Sequence, residues 1–252
     1  ITQILDAKGD TTSLVYTPWN LLSSITDGRG ETKGFTYDVN GRVTVSTDAR
    51  GNTQSFTYDD NGNLVASTDE IGEVTDYTYD GNYRLTSTTD PLGNASSYTY
   101  DLAGNITSLT DANGHVTSLT YDEKNRIESI TDADGEVTTL TYDANGNIAS
   151  TSDPLGRATT RAYNGLDQQT LLTNALGDSI QTVYDIAGQL KTSTNYRGNA
   201  VNYSYDNLGR RTSMTDALSQ TTSYEYDPVS NLIAQVNADG GRTEYIYDSV
   251  NR

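Results

Sequence analysis

Tyrosine returns every 21 residues along this chain without an insertion, at Tyr16, Tyr37, Tyr58, Tyr79, Tyr100, Tyr121, Tyr142, Tyr163, Tyr184, Tyr205, Tyr226 and Tyr247. A register held this long dictates a fold that copies one small unit, because each copy must present the same face to its neighbours. Aspartate follows ten of the twelve tyrosines, as Asp38, Asp59, Asp80, Asp101, Asp122, Asp143, Asp185, Asp206, Asp227 and Asp248, with Thr17 and Asn164 the exceptions. A second Asp or Asn stands eleven residues after each tyrosine, and also at Asp6, and a glycine lies three further on.

One unit runs from Glu31 to Gly51. Thr32–Asp38 alternates, with Phe35 and Tyr37 on one face and Thr32, Gly34 and Thr36 on the other, the period-two pattern of a half-buried strand. Asp38-Val39-Asn40-Gly41 reads as a turn whose last residue needs left-handed geometry. Gly41, Gly62, Gly104, Gly146, Gly188 and Gly209 occupy that place. Asn20, Asn125 and Asn251 substitute, and asparagine tolerates this conformation well. Tyr83, Asp167 and Ser230 replace the glycine elsewhere, and Gln169 and Arg211 replace the aliphatic residue that follows the turn, so those hairpins read as degenerate. A second strand, Arg42–Thr47, leads to a second turn, Asp48-Ala49-Arg50-Gly51. Its glycine recurs as Gly30, Gly51, Gly72, Gly93, Gly114, Gly135, Gly156, Gly177, Gly198 and Gly240, interrupted by Ser219. An odd loop after the tyrosine strand sets Tyr37 opposite Val43. The odd period then calls for an even connection at the second turn, since otherwise the next tyrosine would flip to the other face.

The expected fold is all-β: one repeat array over residues 1–252, of about twelve 21-residue β-hairpins, partial at both ends and part of a longer protein. About 24 strands at about 4.8 Å spacing would make a flat ribbon roughly 115 Å wide. Sheets twist and rarely pass about ten strands without curling, so the long antiparallel sheet is expected to spiral into a shell or tube. A β-solenoid with a stacked tyrosine ladder is the competing architecture, and two tight turns per repeat favour hairpins over it.

Composition narrows the function classes. Apolar residues make up 34% of the chain, with one Met, one Trp and two Phe against 19 Tyr and 22 Gly, which excludes a thick aliphatic interior. Tyrosine and β-branched residues suit a pleated, half-buried surface instead. A formal charge of −18 argues against nucleic acid and anionic membranes as partners. No apolar run is long enough to span a bilayer. The absence of cysteine excludes disulfides and thiolate metal sites.

The unit seen in Phe56-Thr57-Tyr58-Asp59-x-x-Gly62-Asn63-Leu64, and again in Tyr203-Ser204-Tyr205-Asp206-x-x-Gly209-Arg210, resembles the YD repeat of the Rhs family over essentially the whole chain. That family includes bacterial polymorphic toxins, the cocoon component of insecticidal Tc toxins, and the teneurins, in which such repeats form a spiralling β-sheet shell. The resemblance implies a wall segment of a secreted or surface-delivered bacterial container. Its partners would be the flanking repeats and core of the same polypeptide and an enclosed C-terminal toxin. The family's self-cleaving aspartyl core is not visible here. Asp90-Pro91-Leu92-Gly93 and Asp153-Pro154-Leu155-Gly156 resemble its cleavage motif, but they fall in phase with the second turns and read as turns.

An active site needs unlike groups converging, and one unit copied twelve times does not supply them. His115, the single histidine, occupies a variable turn position, so the chain reads as a scaffold with no catalytic and no cofactor-binding residues. Calcium is the one ion to weigh. Asp111-Ala112-Asn113-Gly114 and Asp132-Ala133-Asp134-Gly135 resemble the start of an oxygen-ligand loop, yet they lack the later bidentate glutamate and are complete as turns. Rows of tyrosine could also stack on cell-surface glycans, the basis of a second reading as an adhesion stalk; buried rings with bonded hydroxyls are the structural alternative.

Overall fold

A computed structural model describes residues 2–5 and 9–248, so Asp6 and Asn251 lie outside the described residues. These residues form 24 strands, from Gln3–Leu5 to Arg242–Glu244, and no helix long and apolar enough to cross a membrane. The chain divides into two compact units, one comprising the residues up to Thr120 together with Asp132–Asp134, the other Tyr121–Thr131 and the residues from Gly135 onward. Within the first, each strand from Gln3–Leu5 to Val116–Tyr121 pairs antiparallel with the next. Within the second, the same holds from Ile127–Thr131 to Arg242–Glu244. Antiparallel hairpins, not solenoid coils, are the architecture.

Parity is restored by a different device from the one expected. Five residues separate Tyr37 from Val43, and five also separate Thr47 from Thr53, so both reversals are odd. The compensating residue is a β-bulge. Gly34, Phe35 and Thr36 pair with Thr47, Ser46 and Val45, whereas Tyr37 pairs with Val43, which leaves Thr44 as the extra residue beside Val45 opposite Thr36. The same shift precedes Tyr58, Tyr79, Tyr100, Tyr142, Tyr163, Tyr184, Tyr205 and Tyr226. A bulge bends its strand and strengthens the local right-handed twist, and two identical turns plus one bulge return every tyrosine to the same face.

Both turns are built alike. The Gly41 N–H donates to the Asp38 carbonyl at 3.1 Å and the Asp38 N–H to the Arg42 carbonyl at 2.9 Å; Gly51 and Asp48 repeat the pattern at 3.1 and 2.9 Å. Gly30, Gly41, Gly51, Gly62, Gly72, Gly93, Gly104, Gly114, Gly135, Gly146, Gly156, Gly177, Gly188, Gly198, Gly209 and Gly240 all have φ between +75° and +98°. The hairpins read as degenerate keep the geometry: Tyr83, Asp167 and Ser230 adopt φ of +62°, +57° and +74°, and each donates its N–H as the glycine would. The sheet thus fixes the turn, and a side chain there carries backbone strain instead of changing the loop. Gln169 and Arg211 likewise keep their places opposite Tyr163 and Tyr205.

The two faces differ as the alternation requires. Threonine hydroxyls ladder across one of them, Thr36 with Thr44 at 3.0 Å, Thr78 with Thr86 and Thr99 with Thr107 at 2.9 Å. The tyrosines and aliphatics share the other. Among the described residues only Ala234 and Ser46 are buried, and no large side chain is fully so. What holds the repeats together must therefore be sought in bonds between them.

Candidate functional site

The repeating tyrosine–aspartate network is where this chain concentrates its side-chain chemistry. Neighbouring hairpins pair over only three residues, ending at Ser24↔Gly34, so the ladder lapses before it reaches Leu22. The Tyr37 hydroxyl donates to the Leu22 carbonyl at 2.7 Å and extends the connection there. Tyr58 reaches Val43 in the same way at 3.0 Å, Tyr79 Leu64 at 2.9 Å, Tyr100 Leu85 at 2.6 Å and Tyr142 Ile127 at 2.8 Å. Tyr163, Tyr184, Tyr205, Tyr226 and Tyr247 continue the series, with the longest bond, 3.3 Å, running to Gln169. Each tyrosine therefore staples its hairpin to the one before. Burial pushes the Tyr79 and Tyr205 phenols above their ordinary pKa. Tyr121 ends its strand at the corresponding place.

The aspartates cap the turns. One carboxylate oxygen of Asp38 accepts from the Asn40 and Arg42 N–H groups at 2.9 Å. Asp59, Asp80, Asp122, Asp143, Asp185, Asp206 and Asp227 accept the same pair of backbone donors, and Asp101 accepts from Asn105. Donors aimed at an anion stabilise it. The Arg42 backbone N–H first, then its guanidinium, hold the Asp38 carboxyl below its usual range, and the Asn63 amide first does so for Asp59. Asp248 lies beyond the last strand.

Sequence reading missed the residue that follows the first turn. Arg42 pairs with Asp38 at 2.6 Å, lies over the Tyr58 ring at 4.7 Å and donates to the Asp59 carbonyl at 3.1 Å. Arg84 and Arg210 make the same three contacts, with Tyr100 and Asp101 and with Tyr226 and Asp227 respectively. Arg126 pairs with Asp122 and covers Tyr142 at 4.2 Å. In the alternate repeats Asn63, Asn105 and Asn147 also bond to the aspartate of their own turn but stack on no ring, and Asn147 donates as well to Asp167 of the next repeat at 2.7 Å. Arginine and asparagine thus alternate with a 42-residue period, a signal present in the sequence at positions 42, 63, 84, 105, 126 and 147.

The remaining candidates are turn parts. His115 Nδ1 lies 3.0 Å from an oxygen of Asp111, and its backbone N–H donates to the other. In Asp90-Pro91-Leu92-Gly93 the carboxylate accepts from Leu92 N–H at 3.0 Å, and Asp153 accepts from Leu155 at the same distance. Of the two loops weighed for calcium, the Asp111 oxygens are engaged as described and Asp132 accepts from the Asp134 N–H at 3.0 Å. Among the described residues no three His, Cys, Asp or Glu side chains group as metal ligands. An open hollow of about 500 Å³ is lined by Thr151, Asp153, Arg157, Arg161 and Leu176, and its one carboxylate is already paired with Arg157 at 2.6 Å.

A model of the RHS repeat matches residues 16–53, 37–69, 58–95, 84–116, 100–137, 121–154, 142–179, 184–221 and 212–241. The chain belongs to the RHS repeat family. No curated protein matches it. Among solved structures, this RHS chain is similar to the crystal structure of TcdB2-TccC3 without its hypervariable C-terminal region, at 19% identity and a TM-score of 0.67 over 98% of its length. It is similar to TcdB2-TccC3-TEV at 17% identity and a TM-score of 0.57 over 99%. The Photorhabdus luminescens Tc holotoxin pore matches at 19% identity and a TM-score of 0.53, also over 99%. The RHS chain spans 15%, 18% and 17% of those chains. At these identities the likeness establishes the shared hairpin fold.

Proposed function

We propose that this chain is a length of wall in an Rhs-type shell of a bacterial toxin, one repeat array that helps enclose and deliver a C-terminal cytotoxic cargo. It acts by structure and not by catalysis, outside the producing cell or at its surface. One observation carries the reading: the repeated side-chain chemistry ties one hairpin to the next, through the tyrosine hydroxyls and arginine bridges, or caps a turn. The likeness of fold to TcdB2-TccC3 supports the same reading. The glycan-stalk reading draws no comparable support, because the recurring tyrosines already donate their hydroxyls to backbone carbonyls.

Limited proteolysis of the complete polypeptide that carries this segment tests the proposal. The C-terminal region should resist protease while the array is folded. Replacing Tyr58 and Tyr142 by Ala together should expose it. Cleavage of that region at the same rate in the intact polypeptide as in the isolated C-terminal fragment would overturn the wall reading.

A further inference from the structure

Hollows recur at one place in the repeat, beside Asp69, Asp153 and Asp216, and one of the three has changed its chemistry. The hollow beside Asp69, of about 140 Å³, is lined by Ser67, Asp69, Glu73 and Thr75, so it presents two carboxylates and no cation. The one beside Asp153, of about 500 Å³, has Thr151, Asp153, Arg157 and Thr159 at those four places, with Arg161 and Asn174 alongside. Three residues there depart from the repeat in the same electrical sense. Arg157 is the one Lys or Arg at a position that holds Glu31, Asn52 and Glu73 elsewhere. Arg161 stands where every other repeat has an aromatic ring or leucine, Thr182 excepted. Asn174 ends an unbroken run of aspartates at its turn, from Asp27 to Asp153.

The sheet makes little use of the added cations. In the earlier repeat the Tyr77 and Ser67 hydroxyls lie 3.3 Å apart, and Arg161 makes the corresponding bond when its Nη1 donates to the Thr151 hydroxyl at 3.1 Å. A guanidinium carries five N–H donors, so most of them remain for another acceptor. Among the described residues Arg161 has no carboxylate partner and lies over no ring, whereas Arg42, Arg84, Arg126 and Arg210 have both. Arg157 donates its Nε to Asp153 at 2.6 Å, and its side chain is still 64% exposed.

We propose that this hollow binds the carboxylate of a small hydroxy acid or sugar acid between Arg157 and Arg161. Charge selects the group. The Arg157 backbone N–H first, then its guanidinium, hold the Asp153 carboxyl below its usual range, so Asp153 stays ionised. Two arginines against one carboxylate leave a single positive charge, which suits a monoanion. A phosphate monoester, with nearly two negative charges at neutral pH, would be repelled by Asp153. The planar fork of arginine pairs with a carboxylate through two parallel bonds. Size and lining select what bears it. A volume of about 500 Å³ exceeds what a lone ion fills and falls within the range of small-molecule sites. Thr138 and Thr159 bring hydroxyls to its wall, partners for hydroxyls on the ligand, and Leu176 brings an apolar side.

Titration of the chain with D-glucuronate at low ionic strength, followed through the arginine Nε resonances, tests the site. Arg157 and Arg161 should shift together and saturate with a Kd on the order of 1 mM, while the other arginines stay in place. Arg161→Leu, Arg157→Asn and Asn174→Asp each restore a residue that other repeats carry, so the variants should fold, and circular dichroism checks it. Either arginine variant should weaken binding about tenfold, the loss of one charge-assisted contact. Asn174→Asp should weaken it about threefold through repulsion across the hollow. Arg50→Asn removes one positive charge from an exposed turn tip of the first unit and should stay within about twofold of the parent. D-glucose, which lacks the carboxylate, should leave the resonances unmoved. No saturable shift, or equal affinity in Arg161→Leu, would overturn the proposal. So would tighter binding of N-acetylglutamate methylamide, which would give the hollow to a protein side chain, or of inorganic sulfate, which would make charge alone the determinant. The site does not depend on the wall reading, since protease protection of a C-terminal region requires neither arginine.

Discussion

Tyr58 offers the sharpest test of how the repeats are joined. Its ring is half-buried, its hydroxyl donates to Val43 at 3.0 Å, and the Arg42 guanidinium lies 4.7 Å over its ring. Removing the hydroxyl alone, Tyr58→Phe, deletes one hydrogen bond and should cost about 1 kcal/mol. Tyr58→Ala also loses the half-buried ring, about 1–1.5 kcal/mol, and the cation–π contact, about 0.5–1 kcal/mol, for roughly 3 kcal/mol in all. A repeat array need not unfold in one step, so the loss should be read locally. Amide exchange in Val43–Thr47 and Thr53–Tyr58 should accelerate about a hundredfold in the alanine variant and several-fold in the phenylalanine one. A double-mutant cycle with Arg42→Ala isolates the stacking and should return a coupling of about 0.5–1 kcal/mol. An unchanged Tyr58→Phe protein, together with less than about 0.5 kcal/mol lost in Tyr58→Ala, would refute the staple.

Acid should loosen the turns. Asp38, Asp48, Asp59, Asp80 and Asp90 titrate below their unperturbed 3.8 when folded, so the unfolded chain takes up protons first as pH falls. Their stabilisation is complete above that value and is lost as pH drops through the folded values, so the melting temperature should hold from pH 7 to about 5 and fall below about 4. Tyr83→Gly should raise stability by about 0.5–1 kcal/mol in urea melts, because it relieves a φ of +62°; a loss would show that the exposed Tyr83 ring contributes more than its strain costs. Arg84→Asn should speed amide exchange around Asp101–Gly104 while leaving the Asp59–Gly62 turn unaffected; equal effects on both would argue against a directional bridge. His115→Gln should leave the melting temperature within about a degree, since the ring is largely exposed.

Much of this fold was legible because the period is strict and the turn residues are chemically narrow. Tyr37 facing Val43, and Gly41 at a left-handed position, follow from alternation and from what a tight loop tolerates. The bulge at Thr44 was not legible, because a threonine on either side of a bulge looks the same in sequence and parity can be satisfied by the turn instead. Nor did the hairpins with Tyr83, Asp167 and Ser230 announce that they would keep their loops: sheet pairing on both sides outweighs local preference by more than the strain. The Arg42–Tyr58–Asp59 bridge escaped notice because it joins residues 16 and 17 apart across two repeats. Its sequence signal is a doubling of the period to 42, invisible when each repeat is compared only with an average one.

The turn tips obey a different logic from the rest of the unit. Tyrosine, aspartate, glycine and the arginine or asparagine after the turn each make a bond that the sheet uses, so their recurrence is explained within the chain. The two central turn residues contribute mainly their backbone N–H groups; Leu155, Leu166 and Leu176 give the loop nothing that Asn113 or Asn145 could not. In a sheet without a fully buried large side chain, an apolar residue that is exposed and unused has no internal reason to recur. Scattered tips such as Val39 and Leu102 need no explanation. Eight stand in succession over residues 153–231, at both ends of the strands of the second unit, and none of them serves the turn that carries it. The fold leaves these positions free to vary, because the turn bonds and the sheet pairing are made by the backbone and by the residues that flank the tip.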